Sequence, residues 1–106
     1  MENLKLITCV VDRGKANKIV KEILKINVSG ATIFYARGTG VRQKLGFFRR
    51  AFINPEKEVF MTVVPGERVD EVFDRIVAVG KLDKPGHGLA FIHDVGRTAG
   101  LMDSRT

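Results

Sequence analysis

The chain has 106 residues, 44% of them hydrophobic and 28% charged, which is enough for one hydrophobic core and too little for two, so a multidomain enzyme is excluded. The same proportions exclude a disordered tail and a disulfide-stapled miniprotein. Eighteen Lys and Arg against twelve Asp and Glu leave a net charge of +6, which raises nucleic acid or an anionic membrane as partners until the charge is located.

Leu4 to Val11 is a β-branched apolar run closed by Asp12-Arg13-Gly14, and reads as the first strand. Ala16, Ile19, Val20, Ile23 and Leu24 then recur at helical spacing, with lysines mostly off that stripe. This predicts a helix capped by Asp12 and ending near Asn27. Ser29-Gly30 turns the chain into a second strand, Ala31 to Ala36, and Val59 to Val64 gives a third, broken by Pro65-Gly66. Val69, Val72, Phe73, Ile76 and Val77 predict a second amphipathic helix stopped by Gly80, and Leu89 to Ile92 is the last strand. The order β-α-β-β-α-β predicts an α+β, ferredoxin-like fold, with an antiparallel four-stranded sheet and two helices on one face.

Between Gly38 and about Lys57 runs a connection far longer than a hairpin needs, and loops of that length in a small domain are usually functional. Arg37, Arg42, Lys44, Arg49 and Arg50 lie between positions 37 and 50, where there is no Asp or Glu, so five of the six excess charges belong to one loop-sized segment. Phe47, Phe48 and Phe52 sit among these arginines. They either pack the loop onto its own domain or form a contact surface with the arginines, both types being frequent at interface hot spots.

Strands one and three are apolar at odd and even positions alike, whereas a sheet with one wet face should alternate. That pattern predicts a homo-oligomer in which the free sheet faces pack together. The single Cys9 falls in an apolar run and reads as a buried hydrophobe in a reducing, cytoplasmic protein. Neither a leader pattern nor an apolar span of membrane length is present in the sequence, so a membrane role would be peripheral.

No catalytic site emerges. His87 and His93 lack companions at metal-ligand spacing, so no metal site is assigned. Ser29, Ser104 and Cys9 have no base at motif spacing, and Glu67, Asp70, Glu71 and Asp74 suit the solvated face of the second helix. Gly38-Thr39-Gly40 and Pro85-Gly86-His87-Gly88 are either tight turns or anion-binding loops, whose glycines would allow positive φ and aim N–H groups at phosphate or carboxylate oxygens.

The assembled features resemble the PII family of nitrogen-regulatory signal-transduction proteins. The likeness rests on Lys5-Leu6-Ile7-Thr8, Gly30-Ala31-Thr32, Gly38-Thr39-Gly40 followed by Arg42-Gln43-Lys44, Val63-Val64-Pro65, and Lys84-Pro85-Gly86-His87-Gly88 before Leu89-Ala90-Phe91-Ile92. It implies one PII-like domain over 1–106, with a mobile loop at about 38–57, a phosphate-facing loop at about 81–88 and a tail at 95–106. It implies a homotrimer with an adenine nucleotide (ATP, ADP or AMP, with or without magnesium) in clefts between subunits. Ile7, Thr32 and Val63 would line the adenine, Gly38 and Gly40 would open the mobile loop, Lys57 would stand at its returning base, and Gly86, His87 and Gly88 would face the phosphates. Arg42, Gln43, Lys44, Phe47, Phe48, Arg49 and Arg50 would meet a target protein such as a transporter, transcription regulator or metabolic enzyme.

Several positions depart from the family pattern. Leu89 stands where a lysine often follows the second loop glycine, and Gly100 and Met102 stand where phosphate-clamping arginines fall. The extra Val41 displaces Gln43, and the only tyrosine, Tyr35, lies in strand two and not in the loop. Two alternatives accompany this reading. One is a ferredoxin-like RNA-binding module, disfavoured because Glu56 to Val63 lacks the aromatic pattern that stacks bases; no nucleic acid is expected. The other is a structural oligomer that binds no nucleotide.

Overall fold

The computed structural model describes residues 3–38 and 56–101. Strand β1 (Leu4–Asp12) is followed by helix α1 (Ala16–Leu24), β2 (Thr32–Arg37), β3 (Glu56–Pro65), a 3-10 turn (Gly66–Arg68), α2 (Val69–Gly80) and β4 (Leu89–Asp94). The sheet order is β2-β3-β1-β4 and every neighbouring pair is antiparallel, the ferredoxin-like arrangement expected from the sequence.

Side-chain alternation along the strands divides the sheet. Ile7, Cys9 and Val11 of β1 and Phe60 and Val64 of β3 point to one face, where Ile19, Ile23, Val72 and Ile76 of the helices close the core. Cys9 is fully buried there, and burial pushes its thiol pKa up to about 12. Native protein is therefore expected to resist a thiol reagent at pH 8 and to react fully once unfolded. Because the native state disfavours the thiolate, the stabilisation holds below the ordinary thiol pKa and is lost as pH rises toward 12.

The opposite face carries Leu6, Val10, Phe34, Val59, Met61, Val63, Leu89 and Phe91, and no described element covers it. Phe34 is 43% exposed and Leu89 54%, so this is an apolar surface of the kind that marks an interface.

Helix ends depart from the sequence expectations. Asp12 does not cap α1: it is the last residue of β1, and the N-terminal residue Lys15 makes no side-chain cap. The backbone N–H of Ala16 instead donates to Glu58 Oε1 on β3 at 2.9 Å, a buried bond between residues 42 apart in sequence. The helix stops at Leu24, short of Asn27, because Asn27 takes φ +69° and the Val28 N–H turns back to the Ile23 carbonyl. Arg68 then donates to the carbonyls of Ile26 and Asn27 in the turn that follows the helix, tying that turn to the start of α2. At the end of α2 it is Lys81, not Gly80, that adopts the left-handed conformation, at φ +56°. Gly80 is the last helical residue; a Cβ there would lie 3.1 Å from Ile19 Cδ1, so the small residue allows α2 to close against α1.

β4 runs two residues beyond its apolar stretch because His93 and Asp94 pair with Leu6 and Lys5 through the backbone. Lys5 also bonds the Asp94 carboxylate and holds its pKa below the usual carboxylate range. No described helix is long and apolar enough to cross a membrane.

Candidate functional site

The end of the sheet where β1 and β2 finish and β3 and β4 begin gathers most of the polar side chains that suit a ligand. There β1 leaves through Asp12-Arg13-Gly14-Lys15, a turn with Gly14 at φ +92° and the Lys15 N–H on the Asp12 carbonyl at 3.1 Å. Three successive β3 residues grip this turn. Glu56 Oε1 accepts from Arg13 Nη1 at 2.9 Å, Lys57 Nζ donates to Asp12 Oδ1 at 2.6 Å, and Glu58 receives the Ala16 N–H described above. The Arg13 guanidinium lies 5.9 Å from the centre of the Tyr35 ring on β2, within cation–π range. Both strands that bound the 38–57 connection are thereby tied to the β1–α1 turn.

On the other side of that turn lies the segment joining α2 to β4. Its Lys84 N–H donates to Lys81 and its His87 N–H to Lys84. Gly86 and Gly88 take φ +82° and +134°, the left-handed geometry expected of them. A Cβ on Gly88 would stand 2.5 Å from the Val10 carbonyl oxygen, so this loop seats directly on β1. Gly38 differs from the expectation: it does not adopt positive φ, and a Cβ there would meet only Lys57 Cγ, at 3.9 Å.

The structure thus brings Gly38, Lys57, Gly86, His87 and Gly88 to one end of the sheet. Thr32 and Val63 share the uncovered face but lie toward the opposite end, Val63 six residues along β3 from Lys57, about 20 Å at strand rise. Ile7 does not join them, because its side chain is fully buried on the helix face. Gly40, Arg42, Gln43, Lys44, Phe47, Phe48, Arg49 and Arg50 lie outside the described residues.

Asp12, Arg13, Tyr35 and Glu56 were not singled out from sequence as site residues. Their partners are more than twenty residues away, and the only local hint is the Asp-Arg-Gly turn itself. His93 sits on the free face with its ring 5.1 Å from that of Phe91, remote from the loop of His87. Among the described residues no group of His, Cys, Asp and Glu could hold a metal ion. The two central strands present no aromatic on the free face, since Phe60 points into the core, so the described residues offer no base-stacking platform there.

These features define a ferredoxin-like α+β protein with a polar, glycine-bearing site at one end of its sheet. A family model described as nitrogen regulatory protein P-II matches residues 4–102. The chain belongs to that family, whose proteins are signal-transduction regulators, trimeric, and active through partner proteins. Among solved structures it is similar to PII of Arabidopsis thaliana bound to citrate, with TM-score 0.67 and 20% identity over 88% of this chain and 78% of that one, a likeness of fold. No curated protein matches the chain.

Proposed function

We propose that this chain is a trimeric regulator that binds an adenine nucleotide between subunits and controls a partner protein through the 38–57 segment. The observation that carries this reading is the convergence of Gly38, Lys57 and the Gly86–Gly88 loop on one end of the sheet, where the stem of that segment is bonded to the β1–α1 turn. A ligand there would meet the Lys57 ammonium and the N–H groups of a left-handed glycine loop, a pairing suited to phosphate oxygens. The uncovered apolar sheet face supplies the surface on which three copies would meet.

Ligand would act by favouring one conformer of the stem, which requires it to bind that conformer more tightly than the other. Displacing Lys57 from Asp12 toward a phosphate is one such bias, because it frees the first residues of β3 from the turn. The trimer would work in the cytoplasm, reaching a membrane only through a transporter partner, with magnesium accompanying a di- or triphosphate.

Calorimetric titration with ATP, ADP and AMP tests the ligand. Saturable binding of at least one of them is expected, with Lys57→Gln weakening it by about tenfold, the loss of one charge-assisted bond. Absence of heat with all three at millimolar concentration overturns the nucleotide claim.

A further inference from the structure

We propose that the outer sides of the two helices are a pair of oppositely charged docking surfaces, through which α1 of one copy of this chain binds α2 of another. At 3.6 residues per turn Lys18, Lys21 and Lys25 fall within about 60° of one another on α1, and Asp70, Glu71 and Asp74 within about 100° on α2. Both stripes are exposed, and each stands opposite the buried side of its helix, marked by Ile19 and Ile23 on α1 and by Val72 and Ile76 on α2.

The stripes match in spacing as well as in sign. Lys18 and Lys21 are one turn apart, as are Asp70 and Asp74, so each pair is spaced by about 5–6 Å. Each helix also engages its minority charge within the protomer. Glu22 of α1 is held by Lys25 at 2.9 Å and by Arg75 of α2 at 3.5 Å, and Arg68, just before α2, bonds Glu71 at 3.1 Å. Lys18, Lys21, Asp70 and Asp74 have no ion-pair partner among the described residues. An excess of one sign therefore faces outward on each helix, and the chain itself supplies the matching surface on the other helix of a second copy.

Such a contact is head-to-tail: every copy offers both surfaces, so association continues past a pair unless the rotation closes. The helices cover the sheet face opposite the uncovered apolar one. A trimer built on that apolar face would leave both stripes of every subunit accessible, and contacts that are weak singly would act together. The inference rests on neither the trimer nor the nucleotide reading.

Sedimentation equilibrium of the full chain tests it. At an ionic strength of about 0.05 M the weight-average mass is expected to rise with protein concentration in the sub-millimolar range, and at about 0.5 M, where charges are screened within a few ångströms, the rise is expected to vanish. Lys18→Glu with Lys21→Glu, and separately Asp70→Lys with Asp74→Lys, are each expected to weaken the association by about tenfold or more, because like charges then face one another. An equimolar mixture of the two double variants is expected to restore it, since the reversed stripe of one complements the reversed stripe of the other. Each double variant moves the net charge of +6 by four, one down and one up, so both stay positive and bulk charge alone would keep the mixture apart. A mass independent of salt and concentration overturns the proposal, as does a mixture that stays dissociated. Loss in the lysine variant alone, with the aspartate variant still associating, gives the lysines to some other acidic surface and overturns it too. If the wild type is monomeric at high salt while the charge-swap results hold, only the trimer reading falls.

Discussion

Gly88→Ala is expected to destabilise the protein by about 3 kcal/mol or more, lowering Tm by roughly 10–20 °C, and to abolish nucleotide binding in whatever fraction remains folded. Two causes add. At φ +134° an L side chain is strained wherever there is room, and here there is none: the new Cβ would meet the Val10 carbonyl oxygen at 2.5 Å and Val11 Cγ1 at 3.0 Å. Neither neighbour can yield cheaply, because Val10 is in register with Leu89 on one side and Val59 on the other, in the middle of the sheet. The loop would have to lift away from β1, taking Gly86 and His87 with it.

Gly14→Ala is the matched control. It carries φ +92° but has nothing within 4 Å of the added carbon, so only the backbone cost of about 1–2 kcal/mol applies. Thermal melts of both variants compare the two terms directly. Equal losses would show that the approach of the loop to β1 is not needed.

The elements were legible in the sequence wherever burial imposed a period. Ile19, Val20 and Ile23 mark α1, and Val72 and Ile76 mark α2, because a helix that packs on a sheet has to concentrate its apolar residues on one side. What escaped was set by partners distant in the chain. Asp12 has the chemistry of a helix cap but ends β1 three residues short of the cap position, and the Ala16 N–H donates to Glu58 instead, brought near by the register of β3 against β1. His93 and Asp94 have no apolar pattern, and only the backbone ladder to Leu6 and Lys5 makes them strand.

Charge shows the same limit. Outside residues 37–50 the sequence is nearly neutral, which suggested that the loop alone is basic. Folding segregates part of those balanced charges: on or beside α1 are Lys15, Lys18, Lys21 and Lys25 with one glutamate, Glu22, whereas on or beside α2 are Glu67, Asp70, Glu71 and Asp74 with Arg68, which bonds Glu71, and Arg75, which reaches across to Glu22. The C-terminus of α2 then adds Lys81 to the basic end of α1. A neutral sum therefore conceals a local cluster, and no spacing rule links Lys18 to Lys81 across 63 positions.

Met61→Glu is expected to abolish the proposed trimer, giving monomers, without unfolding the protomer. Met61 stands on β3 in the middle of the free face, across from Thr8 of β1 and Thr32 of β2 and between Val59 and Val63 along its own strand. In an isolated protomer this position is half-buried and open to water, so a carboxylate is tolerated and the circular dichroism spectrum should be retained. In a trimer built on this face each carboxylate would be buried among apolar side chains, at an effective penalty of several kcal/mol per ion. Three copies meet in one assembly, so the penalty outweighs what a subunit interface of ordinary size provides. Light scattering at micromolar concentration reads the outcome. A wild-type monomer would refute the trimer, and a variant that stays trimeric would move the interface off this face and leave Phe34 and Leu89 without the partner assigned to them.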